Sequence, residues 1–103
     1  GSPKQAVGKL TLVDLAGSER LDRGEASGER LREAQHINRS LNALADVIIA
    51  RERRCTHVPY RSSKLTHLLQ DALGGQAMCR TVIITTLLPS RADMHETLRT
   101  LQF

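Results

Sequence analysis

The sequence predicts an α/β fold, and three observations carry the prediction. Two short apolar, β-branched runs, at 9–15 and 79–87, have the character of strands buried on both faces. Three other stretches place apolar residues at steps of three and four, the period of a helix packed on one side. The order along the chain is strand, helix, helix, strand, helix, which belongs to neither an all-α nor an all-β architecture.

The first run, Lys9 to Leu15, reads Lys-Leu-Thr-Leu-Val-Asp-Leu and meets Ala16-Gly17-Ser18, where the chain must turn. Glu19 to Gly28 mixes charges with few apolar residues and reads as a polar loop. From about Glu29 the period changes. Leu31, Ala34, Ile37, Leu41, Leu44 and Ile48 recur on one face, opposite Arg32, Glu33, Arg39, Asn42 and Asp46, which predicts a long amphipathic helix with the first set as core. It should end near Arg51 to Arg54, where basic side chains suit the negative helix terminus. Pro59 closes the next loop. Ser62 or Ser63 can cap a second helix whose apolar face is Leu65, Leu68, Leu69, Ala72 and Leu73, and Gly74-Gly75 ends it. The second strand, about Cys79 to Leu87, passes through Val82, Ile83 and Ile84 before Pro89 stops it. Asp93 with Glu96 resembles a capping arrangement for a terminal helix that carries Met94, Leu98 and Leu101 and runs out at Phe103.

A length of 103 residues allows a single domain. With 40% hydrophobic and 25% charged residues, the composition excludes a fully disordered or collagen-like chain. The apolar runs are far too short to cross a bilayer, so no membrane partner is expected. Gly1-Ser2-Pro3-Lys4 has no apolar core behind it, so no signal peptide is expected; Gly1-Ser2 has the look of a cloning remnant, and the cytoplasm is the expected compartment. Cys55 and Cys79 are read as free, structural thiols, and Cys55-x-His57 offers too few ligands for zinc.

The charge is more telling than its total. Residues 51–67 hold Arg51, Arg53, Arg54, Arg61 and Lys64 against Glu52 alone. That stretch accounts for the whole formal charge of +4, and the rest of the chain carries equal numbers of each sign. With His57 and His67 beside it, the block points to an acidic partner. Nucleic acid fits poorly, because Tyr60 and Phe103 are the only aromatic residues available to stack on bases.

Asp14-Leu15-Ala16-Gly17 is a strand that ends in an acid, with a glycine three residues on. In nucleotide-hydrolysing α/β proteins an Asp at the carboxyl end of a buried strand holds magnesium through water, because the ligand crevice lies outside that end of the sheet. Gly17 lacks a side chain, so its amide can approach a terminal phosphate, and losing that contact on hydrolysis frees the loop. Asp-x-x-Gly alone also occurs in many plain turns. Its neighbours narrow the reading: Leu12 to Arg20, Leu-Val-Asp-Leu-Ala-Gly-Ser-Glu-Arg, resembles the switch II motif of kinesin motor domains over nine consecutive residues. Further blocks resemble that family in order. Ile37-Asn38-Arg39-Ser40-Leu41-Asn42-Ala43-Leu44 is similar to the start of its switch II helix, and His57 to Thr66, His-Val-Pro-Tyr-Arg-Ser-Ser-Lys-Leu-Thr, to its microtubule-binding loop and helix. Leu68 to Gly75 resembles the end of that helix, and Glu96 to Phe103 the last motor helix.

The resemblance implies a fold of the P-loop NTPase type and an ATP-driven, microtubule-based motor that uses Mg. It gives Asp14 the magnesium-water role and Gly17 the γ-phosphate contact, both as cofactor-binding and catalytic positions. Glu19 is given an ion pair with a switch I arginine that closes the site around the attacking water. It also implies binding to the acidic surface of tubulin through Arg39, Arg61 and Lys64 first, with Arg51, Arg53, Arg54, His57 and Tyr60 as further contacts. The long helix would carry movement at Gly17 to that surface as a rigid body.

The phosphate-cradling Gly-x-x-x-x-Gly-Lys-Ser/Thr loop is not found here, nor is switch I, so 1–103 is expected to be a partial motor domain with an incomplete central sheet, inactive alone. In the kinesin fold a strand from elsewhere lies between the two strands expected here. Ala45 stands where the family commonly has glycine, and Ser62 where Asp or Asn is usual. Leu21-Asp22-Arg23 with Arg30-Leu31-Arg32-Glu33-Ala34-Gln35 looks most similar to the minus-end-directed, carboxyl-terminal-motor kinesins. The resemblance places the protein on the cytoskeleton, at microtubules or the spindle and centrosome. The alternative is a non-enzymatic microtubule or polyanion binding module from a truncated or degenerate motor. Oligomeric state is left open, a dimer through regions outside these residues being one option.

Overall fold

A computed structural model describes residues 8–18, 28–74 and 79–102. Its dominant element is α1, Glu29–Glu52, a continuous helix of 24 residues, bounded as the periodicity predicts. Gly28 precedes it with φ 70°, a left-handed conformation that favours glycine, and Glu29 places a negative charge in the first turn, where the helix dipole welcomes it.

The other end of α1 closes on a hydrogen-bonded cap. The amide of Cys55 donates to the carbonyl of Ala50 at 2.9 Å, and that of Arg54 to Arg51 at 3.0 Å. This is the paired pattern of a Schellman motif, with Arg54 at φ 53° in the left-handed position that glycine usually fills. Beyond the turn the chain returns to α1, where Val58 and Tyr60 pack against the core around Leu44 and Val47.

Pro59 leads into a short 3₁₀ turn, Tyr60–Ser62, and then into α2, Lys64–Leu68. Of the two candidate caps, Ser63 is the one used: its side chain accepts from the amide of Thr66, while the Thr66 side chain accepts from the Ser63 amide. The regular part of α2 spans five residues, shorter than the face through Leu73 predicts. The chain continues instead as hydrogen-bonded turns, with Leu69 N bonded to Leu65 O and Leu73 N to Leu69 O, until Gly74 at φ 86° stops them. The apolar period from Leu65 to Leu73 is thus retained by turns that keep Leu69 and Leu73 on the side of α1.

The core lies where α2 and the 3₁₀ turn pack on the C-terminal half of α1. Leu44, Val47 and Leu73 form its buried centre, with Ile48, Val58, Tyr60 and Leu69 against them. Leu41 and Ala43 are buried further along the helix, whereas Ile37 is only half-buried. The stripe therefore runs through Ala43 and Val47 as well as the predicted Leu41 and Leu44, because the partner element covers only one end of the helix.

The strands expected at 9–15 and 79–87 are not formed as such: neither run is paired in a ladder among the described residues. Leu12 is 86% exposed and Ile84 88%. A strand has no hydrogen bonds of its own, so a β-prone sequence becomes a strand only where a neighbour accepts and donates across the ladder. Neither run has such a neighbour among the described residues. The radius of gyration, 17.2 Å, exceeds the roughly 13 Å of a compact chain this long, in keeping with two unpaired segments.

The terminal helix α3, Met94–Gln102, follows a 3₁₀ turn at Arg91–Asp93. Here the cap differs from the expected Asp93–Glu96 arrangement. Ser90 accepts from the amide of Ala92, so the cap lies three residues before Asp93, which falls inside the turn. The Thr97 hydroxyl ties the helix back to the Leu88 carbonyl at 3.0 Å.

Candidate functional site

Two of the three residues singled out for nucleotide chemistry, Asp14 and Gly17, sit in the segment 8–18, in which every residue is exposed. Asp14 presents its carboxylate to solvent, three residues before Gly17, and no residue of this segment enters the apolar core. Glu19 lies outside the described residues, as does most of the polar loop that follows it. Among the described residues no group of three or more His, Cys, Asp or Glu side chains is arranged to hold a metal ion. A magnesium ion is satisfied by one or two protein carboxylates when water and phosphate oxygens complete its shell, so a single exposed Asp14 fits an outer role and does not form a cage.

The cationic residues are more fully organised. The Schellman turn, the Pro59 corner and the capped start of α2 present Arg53, Arg54, His57, Arg61 and Lys64 in one short exposed segment. Arg39 is exposed as well, but twelve positions before Arg51 on α1, which at the helical rise sets it about 18 Å along the axis. The predicted contacts therefore form a cluster and an outlier joined by one rigid helix.

Two predicted contacts are turned inward. Tyr60 is half-buried and packs on the core. Arg51 is half-buried too. Its guanidinium donates to the carbonyl of Leu73, with a longer 3.5 Å contact to the Tyr60 hydroxyl. Together with Arg54, Cys55, Thr56, Val58 and Gly74 these two side chains line an open groove of about 470 Å³.

Thr66 was not anticipated from the sequence, and it organises the cationic loop. It is fully buried, and its hydroxyl donates to the Tyr60 carbonyl at 2.6 Å, binding the two ends of the Arg61 turn together. The signal was present in the Ser63-x-x-Thr66 spacing, the interval of a capping box. Both cysteines are free and exposed, and Cys79 donates to the Ala72 carbonyl at 3.2 Å.

The family model described as kinesin motor domain matches residues 1–103. The chain belongs to the kinesin motor-domain family. Kinesin-like protein KIN-14H of Arabidopsis thaliana is 57% identical over 96 residues, which cover 93% of this chain and 9% of that protein. KIN-14R of the same plant is 58% identical over 95 residues, 92% of this chain and again 9% of the relative. A kinesin whose mutants were crystallised to reveal a signalling pathway for activation of the motor ATPase superposes with a TM-score of 0.74 at 46% identity, over 86% of this chain and 28% of that one. The motor domain of the Kar3-like kinesin from Ashbya gossypii gives 0.70 at 43% identity with the same shares. The kinesin chain described here thus spans about 9% of the length of the curated relatives it matches. Their kinesin-14 names agree with the resemblance to carboxyl-terminal-motor kinesins. The match does not favour the non-enzymatic alternative.

Proposed function

We propose that this chain is the switch II and track-binding portion of an ATP-hydrolysing microtubule motor. The observation that carries the reading is the continuity of α1, which runs unbroken from Gly28, just beyond the polar loop after Gly17, to the cationic turn at Arg53 and Arg54. A helix of this length, packed at one end, moves as a body. A displacement of the loop that feeds its first turn is therefore delivered at its last.

In this reading the intact domain has the α/β kinesin fold, and 9–15 and 79–87 become strands once neighbours pair with them. Mg-ATP supplies the phosphoryl group and its charge. Asp14 holds a water of the metal shell, Gly17 offers its amide to the terminal phosphate, and Glu19 pairs with a switch I arginine to position the attacking water. At the other end Arg53, Arg54, His57, Arg61 and Lys64, with Arg39 about 18 Å back along α1, face the acidic tubulin surface. Each exposed ion pair is worth about 0–1 kcal/mol, so affinity comes from several acting together. The protein then works on cytoplasmic microtubules.

Microtubule-stimulated phosphate release by the full-length protein tests the proposal. Wild type should be stimulated, and Glu19→Ala should lose on the order of 10²-fold of that rate while still binding the filament. A full-length protein that binds microtubules with no stimulated release refutes it.

A further inference from the structure

Among the basic residues of the cluster, Arg51 stands apart. Arg53, Arg54, Arg61 and Lys64 are exposed, whereas Arg51 is half-buried and donates to the backbone carbonyl of Leu73, itself a buried core residue. That carbonyl lies at the end of the turns that follow α2, where the helical pattern stops and backbone acceptors need partners from outside the ladder. A second observation concerns Gly74. Its φ of 86° suits glycine, and a Cβ built there would fall on the Arg51 guanidinium. The glycine thus leaves the space in which the guanidinium sits. Tyr60, at 3.5 Å, lies on another side of the same group.

From these contacts we propose that Arg51 is a positioning residue of the cationic surface, not one of its contacts. Seated in the space left by Gly74, it ties the turn after α2 to the end of α1. Both ends of the segment carrying Arg61 and Lys64 are then anchored to the long helix, one by the chain itself and the other by this bond. The effect on filament binding rests on the function proposed above; the tie does not.

The test uses the full-length protein with Arg51→Met, Gly74→Ala, the double variant and Arg61→Ala. Amide exchange at Leu73 and Gly74 should be about tenfold faster in Arg51→Met, the scale of one lost hydrogen bond to a charged donor. Gly74→Ala displaces the guanidinium, keeps every charge and also strains the backbone at φ 86°, so it should raise exchange at least as much, and the double variant should add little to Gly74→Ala alone. In microtubule co-sedimentation both single variants should bind more weakly with the salt dependence of wild type, whereas Arg61→Ala should flatten it. Unchanged amide exchange in Arg51→Met overturns the proposal. So does a flattened salt dependence in Arg51→Met with Gly74→Ala silent, since that marks Arg51 as an ordinary surface cation. If Arg61→Ala leaves salt dependence untouched, the filament-binding reading fails, and amide exchange still decides the tie.

Discussion

Thr66 donates its hydroxyl to the carbonyl of Tyr60 across 2.6 Å, and this bond closes the turn that displays Arg61. The same oxygen accepts from the Ser63 amide at 3.2 Å, while the Thr66 amide donates to the Ser63 hydroxyl at 3.1 Å. A basic surface with few acidic side chains near it would otherwise splay by mutual repulsion. Here a fully buried neutral hydroxyl supplies the order that the charges do not.

Thr66→Val keeps the shape of the side chain and removes its hydroxyl, which strands the Tyr60 carbonyl and the Ser63 amide. The expected cost is about 1–3 kcal/mol of stability, measured by denaturant unfolding of the intact motor domain. An unchanged unfolding midpoint would mean that water takes over both partners.

Arg54 occupies a left-handed conformation without being glycine. Relieving that strain while paying out the backbone freedom of glycine leaves a net gain, so Arg54→Gly should stabilise the domain by about 0.5–1 kcal/mol. The same change removes one exposed cation and should weaken filament binding modestly. Thermal unfolding and co-sedimentation on one preparation would display the opposed effects.

Val47 has no exposed surface and sits between α1 and the segment from α2 to Leu73. Val47→Ala should cost about 2 kcal/mol through lost burial and the cavity left behind. Leu68→Ala, at a position 83% exposed, should cost far less, despite the larger side chain. Equal losses in calorimetry would place Leu68 against a surface of the intact protein.

Charge reversal of Arg61 and Lys64 to Glu should abolish most filament binding at low salt, and wild-type binding should itself fade as salt rises, with screening lengths of about 8 Å at physiological ionic strength. Undiminished co-sedimentation of the reversed variant would remove the cationic surface from the proposed function.

Much of this was legible in the chain because it is local. α1 begins at Glu29 and yields to the basic turn as its period indicates, since each helical hydrogen bond spans four residues and the amphipathic stripe is written at that interval. Ser63 as a cap and Gly74 as a stop follow from conformations that those residue types adopt alone. The switch II string from Leu12 to Arg20 likewise carried the family in nine consecutive residues.

What tertiary structure decided is relational. Whether 9–15 and 79–87 become strands depends on partners far away in sequence, and β-branched residues record only an aptitude for pairing. Arg51 continues the stripe of Leu44, Val47 and Ile48 at helical spacing, which separates it from Arg53, but the acceptor it reaches, the Leu73 carbonyl 22 positions on, depended on where the turn after α2 meets α1. The sequence by itself determined the long helix, the Ser63 cap and the charge, because these are settled within a few residues of chain. Packing alone determined core, tie and exposed face, because desolvation and hydrogen bonding between distant segments are properties of the contact and not of either side.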